Sequence, residues 1–223
     1  MSIGVAIPCY YGHIPKLLNL LDSIENQCLK PNKVVVSCSS TKDEIKLTKN
    51  YSFPLEIIIT EEHKNAAQNR NIAVSKLNDV DYITFIDADD IMHPQRIEIL
   101  LKVFKETECD IVLHNYLSNN LSNNCNFDKI DKINIRINEL VQCYTGCIRH
   151  LDFNKYYNTD QFIHHAQSTI KREIFDIIKY PEEQEFYSKE ECVFCYRIFG
   201  LPNIKNVYIS NKLTLYKPSG TQL

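Results

Sequence analysis

The sequence predicts an α/β fold in which a mainly parallel central sheet is flanked by helices, with residues 1–223 forming a single domain. Three observations carry this prediction. Strand-like and helix-like patterns alternate from the start of the chain to about residue 115, as right-handed βαβ crossovers require. The apolar run Tyr82, Ile83, Phe85, Ile86 reads as a buried strand and is followed at once by Asp87, Asp89 and Asp90. The acids therefore fall at the carboxyl end of a strand, the edge at which open α/β sheets bind ligands. Composition agrees, because 44% hydrophobic and 24% charged residues suit an ordinary globular chain with a substantial core.

The elements follow in order. Residues 3 to 9 form an apolar strand that ends at Pro8 and the turn around Gly12. A helix from about Ile14 to Gln27 places Ile14, Leu17, Leu18, Leu21 and Ile24 on one face. Lys33 to Ser37 and Leu55 to Ile59 are the second and third strands, and the charged stretch Asp43 to Lys49 between them is helix-compatible. Asn65 to Leu77 reads as a helix with a narrow apolar stripe, ahead of the central strand at 81 to 86. Pro94 is placed to open an amphipathic helix through Glu106, since proline at the first helical position sacrifices no hydrogen bond.

After a strand from Asp110 to Asn115 the pattern breaks. Asn119, Asn120, Asn123, Asn124 and Asn126 mark a polar loop with little to bury, and residues 130 to 162 carry no clear period. Order returns with a strand from Phe162 to Ile170 and a short helix from Lys171 to Ile178. A second helix covers Lys189 to Phe199, and strands at Ile204 to Ile209 and Leu213 to Tyr216 close the pattern.

A formal net charge of −3 supplies no basic face of the kind nucleic acid requires. The nine cysteines have no framework-like spacing, which points to a reducing compartment. Met1 to Tyr10 lacks the basic lead and apolar segment of a signal peptide, and no run approaches the roughly 18 apolar residues of a membrane span. A cytoplasmic, soluble protein is expected. Cys143 with Cys147 and Cys192 with Cys195, beside His150, His164 and His165, invite a zinc reading. Against it, Cys192, Cys195, Tyr196 and Phe199 form the helical stripe of a core face, so no structural zinc is expected. His164 and His165 sit in a strand pattern where successive side chains face opposite ways, which points one of them toward a substrate pocket.

Hard oxygen ligands in a tight group, as in Asp87-Ala88-Asp89-Asp90, suit Mg²⁺ or Mn²⁺ holding a substrate diphosphate. The competing reading is that Asp89-Asp90 only caps the helix that follows. The run Ile86 to Asp90, preceded by Asn65-Ala66-Ala67-Gln68-Asn69-Arg70-Asn71, resembles the Asp-x-Asp region of GT-A glycosyltransferases of family 2. Three further matches accompany it: Ile7-Pro8-Cys9-Tyr10 with the helix after it, Glu190-Glu191 with Arg197 six residues beyond, and Tyr216-Lys217-Pro218-Ser219 near the end. The resemblance is good over residues 3–106 and fair over 163–199.

This resemblance implies a Rossmann-like GT-A sheet with a nucleotide-sugar-binding half to about residue 115 and an acceptor-binding half from about 116. It implies an inverting, metal-dependent transfer from a nucleotide sugar, in the first place a UDP-sugar, to a hydroxyl of a glycan, lipid-linked or protein acceptor. Asp89 is then the ligand of Mn²⁺ or Mg²⁺, and Asp87 serves the ribose or the metal's surroundings. Pro8, Tyr10, Ser37, Arg70 and Ala88 join them at the donor, and Asn71 holds the adjoining loop. Glu191 is the expected proton acceptor, by its spacing to Arg197, with Glu190 the alternative. Ser188-Lys189-Glu190-Glu191 also fits a capping box, in which Glu191 would serve only the helix start. The clearest departure from the family pattern is in the second strand, where two acids followed by Gly-Ser are replaced by Ser37-Cys38-Ser39-Ser40; Glu191 also stands where the family more often has Asp. Two other functions compete. A sugar-phosphate nucleotidyltransferase would need a glycine-rich loop after the first strand, where only Gly12 stands. A degenerate, non-catalytic binding module would fit the altered Ser37-Cys38 site.

Overall fold

The computed structural model of the chain describes residues 1–118, 127–137, 142–143, 162–163, 167–187 and 189–217. Strand β1 spans Ile3–Tyr10, helix α1 Ile14–Glu25, strand β2 Lys33–Ser39 and strand β3 Leu55–Ile59. Helix α2 (Ala66–Val74) leads to β4 (Tyr82–Phe85), the short β5 (Ile91–Met92), α3 (Arg96–Thr107) and β6 (Ile111–Ser118). The described remainder adds β7 (Ile135–Ile137), β8 (Gln142–Cys143), β9 (Phe162–Ile163) and β10 (Ser168–Lys171). Helices α4 (Arg172–Ile177) and α5 (Glu190–Phe199) and the long β11 (Asn206–Tyr216) complete it.

Among the described residues, the central sheet has nine strands in the order β3-β2-β1-β4-β10-β6-β11-β5, with β7 also paired to β11. From β3 to β4 it is parallel. Strand β10 then enters antiparallel between β4 and β6, so chain from beyond residue 160 is built into the middle of the sheet. The strand period of two divides the side chains between faces. Ile3, Val5, Ile7 and Cys9 of β1 join the core under α1 and α3, while Ala6 packs with α2, α4 and α5. On α1, Leu17, Leu20, Leu21 and Ile24 are buried, and truncating any one of them to alanine costs about 2–5 kcal/mol.

Several local expectations change. Residues 43–49 form no helix, because only Ile45 reaches the core while Leu47 is left exposed, and an isolated turn without a packed face is unstable. Helix α3 begins at Arg96 rather than Pro94; Pro94 lies in a turn in which Arg96 N–H donates to His93 O and Gln95 N–H to His93 Nδ1. Strand β5 is absent from the sequence reading because its two residues are defined only by pairing with Thr214 and Leu215. The expected strand 162–170 corresponds to two pieces in two sheets, β9 beside β8 and β10 in the central sheet. The two closing strands are one, β11, whose irregular register between Ile209 and Thr214 carries it from β7 to β5. The asparagine-rich loop, Cys147, His150, His164 and His165 lie outside the described residues.

Candidate active site

The carboxyl ends of β1 and β4, the start of α2, the segment 181–187 and the start of α5 surround one cleft of about 310 Å³. That size suits a small-molecule ligand. Pro8 and Tyr10 reach it because β1 runs on past the sheet's core. Gly12 makes room for the Tyr10 ring, since a Cβ there would lie 2.6 Å from it, and Tyr10 in turn meets the His13 ring at a tilt, with centroids 4.3 Å apart. Helix α2 is set by a capping box in which Asn65 and Gln68 bond each other's backbone, which turns Asn69 and Arg70 inward.

Arg70 is the hub of the site. It is 1% exposed, and its Nη2 donates to Asp87 Oδ1 at 2.7 Å while its Nη1 donates to Glu190 Oε1 at 2.9 Å. Glu191 Oε2 lies 3.5 Å from the same guanidinium. Burial works against the charge, but Asp87, Glu191 and Glu190 outweigh it and hold Arg70 well above its ordinary range. The guanidinium also sits 5.1 Å from the Tyr180 ring. Arg70 thus joins Asp87, just past the end of β4, to two acids of α5.

The three aspartates part company. Asp87 and Asp89 line the cleft, whereas Asp90 is fully buried and accepts the Lys217 N–H at 3.1 Å. Burial first, then the charges of Asp87 and Asp89, push the Asp90 carboxyl well above the usual carboxylate range. Asp90 therefore ties the end of β11 beneath the site. Asp89 Oδ2 lies 3.8 Å from His13 Nε2 and 3.9 Å from Lys16 Nζ. Burial keeps His13 below the usual imidazole range, which favours a neutral ring able to act as a ligand. Asp87 and Asp89 give the cleft carboxylate oxygens of the kind a hard divalent ion takes, while among the described residues no three His, Cys, Asp or Glu side chains are grouped closely enough to hold a metal by themselves.

The other sequence candidates divide by position. Pro8, Tyr10, Arg70, Asp87, Asp89 and Glu190 line the cleft. Ser37 does not: it is fully buried on the α2 side of β2 and donates to Asn69 Oδ1 at 2.9 Å, so it reaches the cleft only through Asn69. Ala88 is also fully buried and packs in the core between the two cleft aspartates. Glu191 is 3% exposed behind Glu190, 3.4 Å from Ser168 Oγ. The capping-box alternative for Glu191 is not met, because Lys189 is the N-cap of α5 and Glu191 is its second residue rather than its third. Asn71 holds the facing loop as expected, donating to Tyr180 O and Glu182 Oε1 and accepting from Tyr180 N–H. Cys192 and Cys195 lie in the core with Phe194 and Ile198.

Sequence reasoning missed His13, Asn69, Phe186 and Tyr187, all of which line the cleft. His13 could have been found, since it lies in the loop just past a strand end. Asn69 could not, for its four hydrogen bonds, to Ser37, Cys9 O, Ser39 and Lys64 O, join segments far apart in sequence.

The architecture is that of the GT-A glycosyltransferases. The family profile described as glycosyl transferase family 2 matches residues 4–178, and the chain belongs to this family. It is 26% identical over 104 residues to an uncharacterized glycosyltransferase of Haemophilus influenzae, covering 47% of this chain and 35% of the relative. It is also 26% identical over 173 residues to the glycosyltransferase GlyG of Streptococcus pneumoniae, covering 72% of this chain and 51% of the relative. The chain thus spans about a third to a half of these relatives. Among solved structures, S. aureus TarS 1-349 in complex with UDP superposes with a TM-score of 0.69 at 16% identity, over 98% of this chain and 61% of that one. TarS 1-349 has also been solved in complex with UDP-GlcNAc, at the same TM-score. Among the described residues, no helix is long and apolar enough to cross a membrane.

Proposed function

We infer that this chain transfers a sugar from a nucleotide-sugar donor, in the first place a UDP-sugar, to an acceptor hydroxyl with inversion at the anomeric carbon. The observation that carries this reading is the Arg70 junction, which brings the Asp87 carboxylate of the amino-terminal half and the Glu190 carboxylate of the carboxyl-terminal half to one cleft. Family membership supports sugar transfer, and the UDP complex of a fold relative supports the choice of donor. The reaction needs both a site for the departing diphosphate and a proton acceptor on the acceptor side.

Asp89 and Asp87, with His13 beside them, would hold Mn²⁺ or Mg²⁺, which when bound draws charge from the leaving diphosphate. Lys16 adds a positive charge near Asp89. The acceptor oxygen attacks the anomeric carbon as the bond from that carbon to the diphosphate oxygen breaks, and the hydroxyl proton passes to the Glu190-Glu191 pair. Glu190 is the member on the cleft wall, so position favours it over Glu191, the reverse of the order suggested by spacing alone. Arg70 holds the pair in place.

Donor hydrolysis and transfer, measured for purified protein against a panel of nucleotide sugars with and without Mn²⁺, test this. Metal-dependent release of UDP from one or more sugars supports the reading. Nucleotide-sugar binding without turnover would leave a binding module, and formation of a nucleotide sugar from a sugar phosphate and nucleoside triphosphate would identify a nucleotidyltransferase.

A further inference from the structure

One wall of the cleft has features that transfer alone does not call for. Its members are Pro181, Glu183, Phe186, Tyr187 and Glu190, all carboxyl-terminal to the donor half. Tyr187 is 44% exposed, although it is a large aromatic residue on an ordered backbone. The backbone is pinned at several points. Asn71 of α2 bonds both the N–H and the carbonyl of Tyr180 and the side chain of Glu182. A 3-10 turn follows, with Phe186 N–H donating to Glu183 O, Tyr187 N–H to Gln184 O and Lys189 N–H to Phe186 O. From behind, Arg197 of α5 lies 5.6 Å from the Phe186 ring and 3.6 Å from Glu183 Oε1. Rings held so firmly at a cleft, with one left open to solvent, form a ready contact surface for a flat apolar ligand face.

The charge of this wall narrows the ligand. Its ionisable cleft-lining members among the described residues are the carboxylates Glu183 and Glu190, while the cleft's Lys64 and His63 stand with the amino-terminal half. Each glutamate already faces an arginine, Arg197 at 3.6 Å from Glu183 and Arg70 at 2.9 Å from Glu190, so this wall turns carboxylates rather than a cation toward the acceptor and offers a phosphate group no partner. A neutral saccharide fits on both counts: the C–H face of a pyranose ring lies on an aromatic side chain, and its hydroxyls donate to carboxylates.

We propose that Phe186, Tyr187 and Glu183 form the acceptor platform, and that the acceptor is a neutral saccharide whose attacking hydroxyl is presented to the adjoining Glu190. This rests on the transferase reading for its chemistry, but the binding surface can be tested apart from it. The probes are methyl glycosides of glucose, galactose and N-acetylglucosamine, with glucose 6-phosphate and glycerol 3-phosphate as anionic counterparts. Saturation-transfer NMR on the full chain, in the presence of UDP and Mg²⁺, reads their binding. At least one methyl glycoside is expected to receive saturation on its ring C–H protons. Tyr187→Ala should weaken that binding at least about threefold, the scale of one aromatic contact, and Tyr187→Phe should restore it. UDP affinity, measured in parallel by calorimetry, should be unchanged in both variants, which shows that they fold. Tighter binding of the phosphate esters, no binding of any methyl glycoside, or indifference to Tyr187→Ala would each overturn the platform. If the glycosides bind in a Tyr187-dependent way but UDP does not bind at all, the platform stands and the transferase reading falls.

Discussion

Arg70 in the middle of α2 and Asp87 just past the end of β4 form a 2.7 Å ion pair whose arginine is 1% exposed. Such a junction is costly to break from one side, because Glu190 and Glu191 remain buried without compensation. Arg70→Ala should destabilise the chain by about 3–5 kcal/mol. Arg70→Lys should recover only part, since a single ammonium does not reproduce the fork that reaches Asp87 and Glu190 together. Urea denaturation of the two variants measures this; a loss below about 1 kcal/mol for Arg70→Ala, no more than an exposed pair is worth, would show that the junction does not hold the site together.

Asp89→Ala is expected to abolish Mn²⁺-dependent donor binding, because a cleft-lining carboxylate beside His13 and Lys16 is lost. Asp89→Asn should fail as well, the amide being a weaker ligand for a hard cation. Undiminished metal-dependent nucleotide binding by folded Asp89→Ala protein, seen by calorimetry, would remove this residue from the site.

For the proton acceptor, the two glutamates give opposite outcomes. Glu190→Gln should lower transfer by roughly 10²-fold or more while sparing donor binding, as loss of a general base requires. Glu191→Gln should act mainly on stability, through its 3.5 Å contact with Arg70. Steady-state rates beside melting temperatures separate these effects. An inactive but fully stable Glu191→Gln with an active Glu190→Gln would return the role to Glu191.

His114 is fully buried on β6, with its Nδ1 2.8 Å from Asn115 O. Burial, then the charges of Arg96 and His93, hold its imidazole well below the ordinary histidine value of about 6.5. Below that pH the unfolded chain binds a proton that the folded chain refuses, so stability falls as pH falls. The slope is about 1.4 kcal/mol per pH unit for one such proton. Denaturant midpoints at pH 7.5 and 5.5 should show the loss, and His114→Gln should reduce it. An equal slope in wild type and variant would place the proton elsewhere, on His93 or His13, whose imidazoles burial also holds low.

The candidate site divides along the range of the forces that build it. Asp87 and Asp89 were legible because acids that follow an apolar run fall at a strand's carboxyl end, whereas Arg70 was placed there by the family resemblance of the segment that carries it. The parallel half of the sheet, β1 to β4, was legible because alternating hydrophobic periods specify both the elements and their crossovers. What failed was whatever depends on contacts between distant segments. The two residues of β5 exist as a strand only against β11, and β10 enters the sheet between β4 and β6 with no local mark of its direction.

By itself, then, the sequence determined that acids would stand at a strand's carboxyl end and that Glu190 and Glu191 would open a helix. Only the tertiary structure decided that Glu190 lines the cleft, that Glu191 and Ser37 lie behind it, and that Asp90 is buried apart from its neighbours. The physical reason is that a side chain's exposure is set by what packs over it. For these residues that cover comes from chain tens of residues away: Arg70 on Glu191, Asn69 on Ser37, and the end of β11 on Asp90.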